Sequence, residues 1–102
     1  MVVAIAKLGF HISYSHSLKE KRRAIRTIKD RTRVRHNVHV VEVEAQDKWQ
    51  RAVLGFAVVG SDRAVAESVV DRVVRSIEAM AVAELIADDR ETIYFGDEDV
   101  AE

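Results

Sequence analysis

Six cations set the chemistry this chain can attempt. If residues 18–33 are laid on a helix at about 100° per residue, Lys29, Arg22, Arg33, Arg26, Lys19 and Arg23 fall in that order within one arc of about 120°, opposite an apolar stripe. Glu20 and Asp30 are the acids in this stretch that would neutralise them. Such a face suits a polyanion, because each cation placed on a phosphate releases condensed counterions and the affinity falls as salt rises. RNA is therefore the expected partner. The alternatives are a solvated face pairing with acids elsewhere in the chain, an acidic protein partner and, more weakly, an anionic membrane surface. The membrane reading suffers because the opposite stripe is needed for the core.

Two further residues join the candidates. His16 sits between Ser15 and Ser17 just before the helix start, where an oxyanion would meet free amides, an imidazole and Lys19. Trp49, flanked by Lys48, Gln50 and Arg51, is either a base-stacking residue at a hairpin tip or a residue closing the core or a seam between two copies. Lys21, Arg31 and Arg35 extend the basic field around its edges.

Other chemistries find less support. There is no cysteine, so no disulfide, thiolate nucleophile or cysteine zinc knuckle is possible. His36 and His39 are three apart at an expected strand entrance, with no carboxylates placed to complete a metal site. No glycine-rich phosphate cradle, G-x-S-x-G elbow or H-E-x-x-H is present, so neither catalysis nor a cofactor is expected.

These residues need elements to hold them. From Val2 to Tyr14 the even positions are apolar throughout, which predicts a long strand with its even face on the core. Ser17-Leu18-Lys19-Glu20 is a capping box, so a helix starts near Leu18; Leu18, Lys21, Ala24, Ile25, Ile28 and Thr32 form its buried stripe to about Arg33. The run 37–45 is rich in β-branched residues, and its apolar phase slips between Val40 and Val41, which suggests a bulge. A second strand over 51–59 pairs with it as a hairpin. Asp62 caps a helix carrying Val65, Val69, Val73 and Ile77 with Ala66, Val70, Val74 and Met80 alongside, and a last strand covers about 83–95, interrupted near Asp88-Asp89-Arg90.

The order βαββαβ predicts an α+β, ferredoxin-like sandwich over residues 1–95: a four-stranded antiparallel sheet with two helices on one face. Residues 96–102, with four acids, read as a disordered tail. On the far sheet face Val3, Ile5, Val41, Val43, Val53 and Val59 leave more aliphatic surface than two helices can cover, so homodimerisation through the sheet, or edge to edge, is expected. The odd face of the first strand and of the strand at 51–59 carries Val3, Ile5, Lys7, Val53, Gly55, Ala57 and Val59 and no aromatic residue of the kind on which RNA-recognition motifs stack bases, so RNA would be held by helix and loop.

Charge is unevenly divided. Residues 1–36 hold ten of the 16 basic side chains and two of the 17 acidic ones, so a net charge of −1 conceals a strongly basic first third. No apolar run approaches the roughly 20 residues needed to span a bilayer, and a soluble, cytoplasmic protein is expected.

The stretches S-H-S-L-K-E-K-R-R at 15–23 and W-Q-R-A-V-L-G at 49–55, with Asn37-Val38 and Glu42-Val43 between them, resemble the bacterial YlxP-like family of unknown function. The likeness covers about residues 2–95. It implies a ferredoxin-like fold, and, because members are often encoded beside translation initiation factor two and ribosome-binding factor A, a role near ribosome assembly or translation. It supplies no catalytic residues.

Overall fold

The computed structural model describes residues 1–96. Six elements follow one another: β1 (Val2–His11), α1 (Leu18–His36), β2 (Val41–Glu44), β3 (Arg51–Gly60), α2 (Arg63–Ala79) and β4 (Glu84–Tyr94). The strands form one antiparallel sheet in the order β2-β3-β1-β4, with both helices on one face, which is the ferredoxin-like α+β arrangement.

Strand periodicity places the core. Val2, Ala4, Ala6, Leu8, Phe10 and Ile12 are buried with Ala52, Leu54 and Phe56 of β3, beneath Ala24, Ile25 and Ile28 of α1 and Ala66, Val70, Val73, Val74 and Ile77 of α2. The alternation stops short of Tyr14: β1 ends at His11, the Tyr14 ring is exposed, and its hydroxyl donates to the Val82 carbonyl at 2.7 Å.

Both helices start where their caps require. Ser17 Oγ accepts from the Glu20 amide at 3.1 Å, and Glu20 in return accepts from the His16 amide, a reciprocal arrangement of which the serine is worth about 1 kcal/mol. Asp62 accepts from the amides of Ala64 and Val65. α1 runs a turn further than expected, to His36, because Asn37 adopts the left-handed conformation (φ 54°) and its amide donates to Arg33 O, a stop signal asparagine can supply. His36 is thus helical, with His39 beyond the cap.

Three expectations are displaced. The irregularity in β2 falls between Glu42 and Glu44, after Val38 and Val40 have already been committed to the core. β4 runs unbroken through Asp88–Arg90; its register shift lies opposite Gly9 and Phe10, so the bulge is at Ile86. Val65 points to solvent, while Val73 and Ile77 of the same series are buried with Ala66, Val70 and Val74 and Val69 packs against the core.

The helices divide the sheet between them. α2 lies on the β4 side, where Arg90 bonds Asp71 and Thr92 bonds Glu67. α1 covers the hairpin side, where Lys21 meets Glu42. On the opposite sheet face Val3, Ile5 and Val53 are half-buried by their neighbours, whereas Val41, Val43, Val59 and Ile93 are exposed. Among the described residues no helix is long and apolar enough to cross a membrane. Apart from Gly96, the acidic stretch 96–102 lies outside the described residues.

Candidate nucleic-acid interface

The basic face forms as one surface. Lys19, Arg22, Arg23, Arg26 and Arg33 are exposed and Lys29 is half-exposed, while Lys21, Ala24, Ile25, Ile28 and Thr32 turn inward. From Lys19 to Arg33 the face extends about 21 Å along the axis. Among the described residues none of the six forms an ion pair. Glu20 and Asp30, the acids of the same helix, are exposed and form no ion pair among the described residues either, and on the neighbouring strand β2 Glu42 pairs with Lys21 and Glu44 with Lys7.

Helix phase orients this face. Arg31 and Arg35 line the cleft against α2, so the flank bearing Arg22, Lys29 and Arg33, roughly opposite on the helical wheel, overhangs the β2 edge.

Lys21 is not part of the field. Its ammonium is buried, 2.8 Å from the Glu42 carboxylate, and donates to the carbonyls of Ala45 (2.8 Å), Gln46 (3.2 Å) and Arg51 (3.2 Å). The loop between β2 and β3 therefore closes around a cation supplied by α1. Burying an ammonium is tolerable only when it is paired and its donors are taken up, and here one carboxylate and three carbonyls do so. The pattern was legible as a buried position; that the lysine head would follow its stem inward was not, because its acceptors are backbone carbonyls with no sequence signature.

A second fastening meets the first. Gln50 Nε2 donates to the carbonyls of Ser13 and Ser15 at 3.1 Å each, and the Ile12 amide donates to Gln50 O at 2.8 Å. The hairpin tip is thereby tied to the loop that carries His16 and leads into Lys19. Trp49 stands on this tip, 56% exposed, and does not close the core. His16 is exposed as well; its own amide is held by Glu20, so what His16 itself can offer a ligand is its imidazole.

The α1–α2 seam holds polar groups that sequence patterning missed. A shallow cleft of about 500 Å³ is lined by Asp30, Arg31, Val34, Arg35, Ser76, Ala79 and Met80. Thr32 Oγ1, His36 Nε2 and Ser76 Oγ are buried without hydrogen-bond partners in this region. Burial, then the nearby guanidinium groups of Arg35 and Arg72, push the His36 imidazole below its ordinary value, which opposes its protonation. Among the described residues no cluster of three or more His, Cys, Asp or Glu is placed to hold a metal ion.

Residues 3–90 match the family described as "Protein of unknown function (DUF503)". The chain is 40% identical over 63 residues to the "Uncharacterized protein YlxP" of Bacillus subtilis (strain 168), covering 62% of this chain and 68% of that one. In structure it is similar to the structural-genomics protein YJCS (TM-score 0.53, 10% identity, 90% of this chain and 99% of that one). It is also similar to part of the VAO-type flavoprotein MtVAO615 of Myceliophthora thermophila C1 (TM-score 0.50, 11% identity, 90% of this chain and 16% of that one). At these identities the structural likeness speaks to the fold alone. The chain belongs to the DUF503, YlxP-like family.

Proposed function

We propose that this protein is a non-enzymatic RNA-binding protein that acts on the ribosome or on ribosomal RNA, docking α1 on phosphate backbone through Lys19, Arg22, Arg23, Arg26, Lys29 and Arg33. The observation that carries the reading is that these cations share one exposed face and form no ion pairs among the described residues. A self-repelling array of this kind costs folding energy, and a polyanion repays that cost. A face with six cations engaged should show a slope of log affinity against log salt of about −5 on duplex RNA.

The test is Arg22→Glu with Arg26→Glu. Fluorescence anisotropy against ribosomal RNA fragments, from about 50 to 200 mM salt, should show affinity falling at least a hundredfold at the low end and a slope flatter by about 2. Unchanged affinity in a folded double variant would exclude α1 as the RNA surface, and an acidic protein partner would become the better reading.

A second copy of the chain is the proposed occupant of the open sheet face, supported by the exposed Val41, Val43, Val59 and Ile93. Sedimentation should report a dimer, and Val59→Asp a monomer with RNA affinity per protomer reduced by avidity alone.

A further inference from the structure

We infer that Trp49 is a stacking platform for one unpaired base, so that the preferred ligand of the basic face is single-stranded or junction RNA rather than continuous duplex. This rests on the RNA reading above and adds to it a site outside α1.

Exposed aromatic side chains lie at both ends of the sheet, and at the Trp49 end the other one, Tyr14, has its hydroxyl bonded to the Val82 carbonyl. Met1, Val59, Tyr94 and Phe95 gather at one end of the sheet, where Val2 pairs with Gly60 and Tyr94 and the Phe95 amide bonds Met1 O. That end continues into the open apolar face, as a seam between copies requires. Trp49 lies at the other end, where His11 pairs with Arg51, and its sequence neighbours are Asp47, Lys48, Gln50 and Arg51. Lys48 and Arg51 are exposed there, and the first turn of α1 brings Lys19 and Arg22 to the same end. Asp47 is the one acid on the tip. A large indole left in water on a tip whose own charged residues are Lys48, Arg51 and Asp47, at the end of the sheet where α1 begins, is suited to a partner that is anionic and flat at once, which describes a nucleotide.

The tip is also rigidly built. Three of its carbonyls are held by Lys21, the Lys48 amide bonds Ala45 O, and Gln50 pins it to Ser13 and Ser15. A platform fixed in advance loses little entropy when a base settles on it. In a duplex the bases are already stacked on one another, so the platform is useful only where a base is free.

Trp49 is the sole tryptophan, and its emission therefore reports its own surroundings. The test compares an unstructured 16-nucleotide RNA with the same strand in duplex, following both tryptophan emission and anisotropy of the labelled RNA. Single strand should quench Trp49 and bind about tenfold tighter than duplex; Trp49→Ala should remove that preference while leaving duplex affinity unchanged, and Trp49→Phe should restore most of it. Single-strand binding by anisotropy without quenching, or a Trp49→Ala variant that keeps the preference, overturns the platform but leaves backbone docking standing. An emission spectrum that shifts to the blue with protein concentration in the absence of RNA also overturns it, by placing Trp49 between two copies. Failure of both RNAs to bind overturns both readings.

Discussion

Two helices lie on one face of one sheet and treat charge in opposite ways. Along α2 four of the six charged residues are paired: Arg63 with Glu67, Arg75 with Asp71, and Asp71 again with Arg90 of β4, which leaves Arg72 and Glu78 without an ion pair among the described residues. Glu67, bonded first by the Thr92 hydroxyl and then by Arg63, is held below the usual carboxylate range. Along α1 one cation, Lys21, has found a carboxylate, and the eight other lysines and arginines have none among the described residues. Each helix buries one face, α1 through Ala24, Ile25 and Ile28 with Lys21 and Thr32, α2 through Ala66, Val70, Val73, Val74 and Ile77, and leaves the other to solvent. What differs is left over from folding, and that remainder is where a partner's chemistry is legible.

The sharpest way to break the contrast is to remove the one paired cation of α1. Lys21→Met should destabilise the protein by about 3 kcal/mol in urea unfolding, because Glu42 loses its counter-charge and three loop carbonyls lose their donor; adding Glu42→Gln should recover part of the loss. Making α1 resemble α2 comes next in size. Arg26→Glu places an acid four residues after Arg22 and three before Lys29, and RNA affinity should fall about tenfold, whereas Arg72→Glu on α2 should change it less than threefold. Screening the array with salt is smaller: between about 50 and 500 mM NaCl the melting temperature should rise by a few degrees in the natural protein, and by less in Arg26→Glu.

The smallest effect concerns pH at the seam between the helices. The folded protein holds the His36 imidazole below its ordinary value, so below about pH 6.5 the unfolded chain binds the proton that the folded one refuses. Stability is therefore full above that pH and declines as pH falls toward the depressed folded value, below which no further loss comes from this group. His36→Gln should flatten this part of the pH profile of urea midpoints; an unchanged profile would assign the dependence to other groups.

Periodicity made most of the fold legible, because Leu8, Phe10, Leu54, Val73 and their neighbours repeat at the spacing of the element that buries them. The errors came where a single backbone conformation decides the outcome. Asn37 in the left-handed region set the end of α1, and the bulge at Ile86 carried β4 through its charged residues. The basic face was fully readable from 100° steps. The mounting of Trp49 was not, since it depends on Lys21 and Gln50 reaching backbone carbonyls far away in sequence, and carbonyls leave no trace in residue type.

Lys21 has one more consequence, in chemical accessibility. Of the five lysines, Lys7, Lys19, Lys29 and Lys48 offer amines that are at least partly exposed, while Lys21 is enclosed. An amine-labelling reagent or an acetyltransferase would modify the four and spare the fifth until the hairpin lifts from α1. The rate at which Lys21 becomes labelled is thus a clock for that local opening, wound into the protein without any engineered probe.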